Sequence, residues 1–210
     1  MIRPGNIWRQ LRGADDGVAM VEFAMVAPVM AFMIVSGLEL ANFALTHMRV
    51  SEIANTVADN AGRVTSGMDE ANVYEIFAGA GVIGQSIDFE NNGRVVLSSL
   101  QENDNKGNGK GQKIEWQRCW GELAVDPAYG TQGDGRSDSS LANGLGKAGH
   151  RITSVAGTAV MFAEVSFQYE PLFFDGVVQR QLIRYEAALN VRDRNNRGIS
   201  NAQSLAEMEC

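Results

Sequence analysis

At 210 residues and 45% hydrophobic, the chain can bury a core of ordinary size, and one domain is the expected count. Its formal charge of -7 comes from 18 basic and 25 acidic residues. That balance argues against nucleic acid as a partner, because phosphate binding needs clustered Lys and Arg. The basic run 192–197 is short, is broken by Asp193, and reads as a solvated turn.

The chain opens with a polar stretch carrying Arg3, Arg9, Arg12, Asp15 and Asp16. Residues 23–38 then hold no charge, and 18–45 are interrupted only by Glu22 and Glu39. About 20 apolar residues cross the hydrocarbon as a helix, so one transmembrane span is predicted over 18–46. Three Arg precede it, and only Arg49 follows closely. This bias puts the N-terminus in the cytoplasm and the rest of the chain across the membrane. A cleaved secretory signal competes with this reading. The apolar run is longer than a signal core, however, and Ala41-Asn42-Phe43-Ala44 is a poor cleavage box.

The span holds three unusual residues. Pro28 is expected to kink the helix, since proline removes a backbone donor. Glu39 stands about 32 Å along the helix from Val18, one hydrocarbon thickness, and is expected to be a wetted helix-end carboxylate. Glu22 lies one turn inside the start. A carboxylate there is costly and wants a partner, unless it merely sits in the headgroup zone.

The helical pattern does not stop at the span. Val50, Ile53, Ala54, Val57, Ala58, Ala61 and Val64 form a stripe at helical spacing, opposite Ser51, Glu52, Asn55, Asp59 and Asn60. An amphipathic continuation over 47–63 follows. Residues 64–210 then read as an exported, β-rich globular part.

Residues 68–77 suggest a short helix capped by Ser66 or Asp69. Gly79-Ala80-Gly81-Val82-Ile83-Gly84 spells GxGxxG, but it lacks the strand before and the helix after, so it reads as a glycine-rich loop. Residues 85–89 alternate like a strand ahead of an Asn-Asn-Gly turn. Residues 94–100 and 114–118 suggest a hairpin with a long polar loop. Asp104 and Glu115 have the end spacing of a calcium loop, yet Lys106 occupies a ligand position, so calcium is rejected. The stretch 121–158, with eight glycines, is expected to be irregular and on the surface.

Two clear strands come last, at 160–169 and 182–192. Met161, Ala163, Val165, Phe167 and Tyr169 alternate with Glu164, Ser166 and Gln168. Period-two alternation means antiparallel strands with one wet face and one dry face that needs a cover. The amphipathic helix is the expected cover. The fold class is therefore α+β: a long transmembrane-plus-amphipathic helix packed on an antiparallel sheet.

Cys119 and Cys210 are the only cysteines. Outside the cytoplasm they form a disulfide if they come near each other; two separate thiols are the alternative. Trp116 and Trp120 beside Cys119 read as core packing. No CxxC, HExxH or nucleophile–base spacing is present, so no cofactor, metal or catalytic residue is expected.

The start of the apolar helix resembles a known family. Gly17 followed by Val18-Ala19-Met20-Val21-Glu22-Phe23 looks like the processing site of type IV-like prepilins. The fuller string, with Val21, Glu22, Phe23, Ala24, Val26, Pro28, Gly37 and Glu39 in order, is similar to the TadE/TadF-like pseudopilins of tight-adherence (Flp) pili. A weaker echo lies at 165–173.

The resemblance implies a non-catalytic minor pilin. A prepilin peptidase would cut between Gly17 and Val18, removing residues 1–17 as a cytoplasmic leader. Glu22 would then pair with the free amine of a neighbouring subunit. The implied partners are other pilins and pseudopilins, the inner-membrane assembly platform and membrane lipid. The implied location is the inner membrane, with the C-terminal part periplasmic and entry into an extracellular pilus left open. The competing readings are a membrane-anchored periplasmic binding module and an accessory enzyme with an uncut anchor.

Overall fold

The computed structural model describes residues 16–65, 67–103, 111–191 and 198–210. The leader up to residue 15, Ser66, the loop 104–110 with Asp104 and Lys106 of the rejected calcium loop, and the basic run 192–197 lie outside them. The fold is α+β: a long apolar N-terminal helix followed by an antiparallel four-stranded sheet.

Helix α1 spans Asp16–Arg63 and continues through Pro28. It is followed by β1 (Met68–Asp69), α2 (Glu70–Gly84), a 3-10 turn at Gln85–Ile87 and the four-residue α3 (Phe89–Asn92). Then come β2 (Gly93–Glu102), β3 (Gln112–Trp120), β4 (Ala159–Tyr169), β5 (Gln181–Asn190) and β6 (Ile199–Ser200). The sheet order is β3-β2-β4-β5, every pair antiparallel, while β1 and β6 form a small parallel pair.

The chain forms two compact units. One holds α1 up to Asn42 together with the loop 171–179; the other holds Phe43–Glu170 and Arg180–Cys210. In the second unit Val50, Ile53, Ala54, Val57, Ala58 and Ala61 are fully buried, as their helical spacing predicts. Burying Val50, Ile53 and Val57 is worth roughly 1.5–3 kcal/mol each. The same helix touches Tyr169, Tyr185 and Leu189, which share a sheet face with Met161, Ala163, Val165 and Phe167, also buried. Gly62 lets the last turn come close: a Cβ there would stand 3.3 Å from Leu189 Cβ.

Four local expectations are corrected. The GxGxxG stretch is not a loop but the end of α2, which runs seven residues beyond the predicted helix end at 77. Glycine costs about 1 kcal/mol against alanine in a helix. Here close packing requires it: a Cβ on Gly84 would meet Phe89 Cβ at 2.4 Å. Residues 85–92 are helical turns, not a strand, because Phe89 turns inward to stack on Trp120 and Phe167, ring centroids 5.9 Å from each.

The polar face of β4 is not wet either. Glu164 and Ser166 are buried, because the stretch 121–158 lies over that side of the sheet. That stretch has no regular element but is not merely surface: Leu141 and Leu145 pack with Leu100, Ile114, Val160 and Phe162 in a second core. The backbone N–H of Ala128 donates to the Glu164 carboxylate at 3.0 and 3.1 Å. Polar alternation marked the two faces but not what covers them.

The cap of α2 is Asp69. Its side chain accepts from the N–H of Ala71, and Asn72 accepts from the N–H of Asp69, each at 3.1 Å. Asp69 also accepts from the Ser200 hydroxyl at 2.7 Å and the Ala202 N–H at 3.0 Å, which ties the C-terminal segment to the helix start.

Candidate functional site

The candidate site is the first half of α1. Between Val18 and Leu38 the helix exposes Met20, Phe23, Met25, Val29, Phe32, Met33 and Ile34, each more than half accessible. A buried core helix of a soluble protein would hide this face. The most apolar 18-residue window reaches a mean hydropathy of 2.3 and has none of its residues buried, so α1 is long and apolar enough to cross a membrane.

Gly17 is the second residue of α1, and a Cβ on it would meet nothing within 4 Å. Neither a turn nor close packing within the chain requires glycine there. Val18 and Glu22 follow, both exposed, four residues apart and therefore on one side of the helix. Gly17, Val18 and Glu22 thus share the opening turns, and Pro28 lies farther along the helix, also exposed.

Glu39 differs from its expectation as a wetted helix-end residue. It is fully buried, and α1 continues for 24 residues beyond it. Its carboxylate accepts the backbone N–H of Leu172 at 3.0 Å and that of Phe173 at 3.2 Å. Distance along the helix suggested the depth of this carboxylate. It could not show that a loop 133 positions later returns to cover it.

Where α1 meets the sheet, four aromatic rings cluster within the second unit. Phe43 stands edge-on to His47 at 4.5 Å and to Tyr169 at 5.0 Å. The Nδ1 of His47 lies 3.1 Å from the Tyr185 hydroxyl. Sequence reading missed the cluster, although the i, i+4 spacing of Phe43 and His47 was a usable signal.

Cys119 and Cys210 form a disulfide with Cα atoms 4.9 Å apart. The tail is held further by Cys119 N–H donating to the Met208 carbonyl at 2.8 Å. On the opposite face of β3, Arg118 is buried and donates through Nε to Glu70 at 2.8 Å and through Nη2 to Glu207 at 2.9 Å. Nothing in the linear spacing marked this trio, whose members come from α2, β3 and the tail. Trp116 is buried, and Trp120 stacks on Phe77 and Phe89.

Among the described residues, no three His, Cys, Asp or Glu converge as metal ligands. Residues 17–59 match the family model of TadE-like proteins, a match that covers most of α1. No curated protein and no solved structure matches the chain.

Proposed function

We propose that this chain, TadE-like over residues 17–59, is a minor pilin of a tight-adherence pilus system and acts as a structural subunit. The observation that carries the reading is the order of features opening α1. Gly17 has no packing reason to be glycine, Val18 follows, and Glu22 stands one turn on, ahead of an exposed apolar run.

In this reading a prepilin peptidase cuts after Gly17 on the cytoplasmic face of the inner membrane. The freed Val18 amine is largely cationic at neutral pH, since α-amines titrate near about 7.7–8.0. Glu22 of one subunit pairs with that amine in the next, so that neither charge stays bare among apolar helices. The pair sets axial register more than it adds stability. Ala24, Ala27 and Ala31 allow neighbouring helices to approach. The β-rich unit stands on the periplasmic side.

Co-assembly tests the pairing. Glu22→Ala is expected to be processed normally yet to co-purify with partner pilins at least tenfold less, as removing one member of a buried pair costs about 3–5 kcal/mol. Unchanged co-purification would sink the pairing.

A tethered periplasmic binding module is the second reading. It is favoured by a cavity of about 490 Å³ beside the disulfide, lined by Gln117, Asp126, Pro127, Thr131, Gln132 and Glu209. It requires the anchor to stay uncut.

A further inference from the structure

The unit that contains the apolar half of α1 also contains the loop 171–179, between β4 and β5. Leu172, Phe173 and Phe174 follow one another there and are 62%, 54% and 39% exposed. Contiguous exposed apolar groups of this size mark an interaction surface.

Two contacts set the course of the loop along α1. The Glu39 carboxylate takes the N–H groups of Leu172 and Phe173. The Phe174 ring lies 6.1 Å from that of Phe32. Phe32 precedes Glu39 by seven positions, about 10 Å toward the N-terminal end of the helix. The loop therefore runs back along the apolar part of α1 and adds three side chains to a surface that is itself uncovered.

Backbone N–H groups entering an apolar phase need internal partners. Glu39 supplies one to both groups at the point of entry. The flanking residues Glu170 and Arg180 pair with each other at 3.1 Å.

We propose that the tip 172–174 enters the outer leaflet of the bilayer beside α1 and seats against lipid acyl chains. This rests on reading α1 as the membrane anchor. The tip lies at the headgroup–acyl boundary, the depth of about 5–10 Å that interfacial apolar groups reach. The occupant is lipid because the loop is continuous with the spanning surface and descends along it.

The full chain in vesicles of phosphatidylethanolamine and phosphatidylglycerol tests this. Both native cysteines are bonded to each other, so an introduced thiol can be spin-labelled alone. Phe173→Cys is compared with Met33→Cys on the helix and Val155→Cys on a water-facing loop, and an intact Cys119–Cys210 bond reports folding. Leu172→Cys repeats the measurement. The expected result is that the labels at 172 and 173 collide with oxygen as the label at 33 does, and several-fold less with an aqueous nickel complex than the label at 155. If the label at 33 meets lipid and those at 172 and 173 meet water, the loop proposal falls alone. If they are shielded from both reagents, the tip packs on protein and the proposal falls equally. If the label at 33 itself meets water, the anchor reading fails.

Discussion

The carboxylate of Glu39 accepts the backbone N–H of Leu172 at 3.0 Å, joining the helix to a loop 133 positions away. One side chain thus holds the turn between the two central-to-edge strands β4 and β5. Glu39→Ala leaves the Leu172 and Phe173 amides without this acceptor. A lost charge-assisted bond of roughly 1.5–3 kcal/mol should raise their hydrogen-exchange rates about tenfold to a hundredfold. Amides of β2 should exchange as before. Glu39→Gln keeps an acceptor oxygen and should fall between the two. Equal protection of Leu172 in all three would remove the holding role.

The disulfide closes a separation of 91 positions and pins the tail. In the chain-entropy picture such a loop is worth about 4–5 kcal/mol. Cys119→Ser should lower the unfolding free energy, measured by denaturant titration, by an amount of that order, and Cys210→Ser should match it. Proteolysis of the tail before residue 210 should become easier in both. A stable, protease-resistant tail in either variant would contradict this.

Arg118 holds Glu70 and Glu207 at a buried point where α2, β3 and the tail meet. Removing one partner strands a buried charge at a cost of about 3–5 kcal/mol. Arg118→Leu, which leaves the Glu70 carboxyl in the core without its partner, should therefore cost more than the paired change Arg118→Leu with Glu70→Leu. A double-mutant cycle by chemical denaturation measures the difference. Simple additivity would show that the pair is not coupled.

Glu164 gives a pH test with a definite sign. Burial pushes its carboxyl above the ordinary range, outweighing the Ala128 N–H bonds and the nearby Arg184, while Glu186 across the strand pair adds to the rise. Tyr129, bonded to Glu186 in the same pocket, is pushed up to about 12, mainly by burial, and stays neutral through the range tested. The folded state thus holds the Glu164 proton more tightly than the unfolded chain. Its contribution to stability is full below the unfolded carboxyl value, near about 4.3, and declines as pH rises through the raised folded value. Relative to Glu164→Gln, the natural protein should lose stability from about pH 4 toward neutrality. An opposite slope would mean that the Ala128 bonds dominate.

The parts of the fold that rest on period were legible. The stripe from Val50 to Ala61 and the alternation from Met161 to Tyr169 each depend on one repeat, 3.6 or 2, and each faces where that repeat puts it. What depends on distant chain returning was not legible. The polar residues Glu164 and Ser166 look the same in sequence whether water or the 121–158 stretch covers them. Gly84 looks like a loop residue until Phe89 is seen 2.4 Å from its absent Cβ. At the candidate site the order Gly17, Val18, Glu22 was readable, because it lies within two turns of one helix. The covering of Glu39 was not, because its partners are backbone amides that any sequence possesses.

Scission between Gly17 and Val18 is read from the intact mass of the protein purified from its own membranes. The expected species lacks its first 17 residues and begins at Val18, with or without a small N-terminal modification, while Gly17→Leu gives a larger, uncut form. A functional molecule that still carries Met1 would contradict it and leave the tethered binding module in its place.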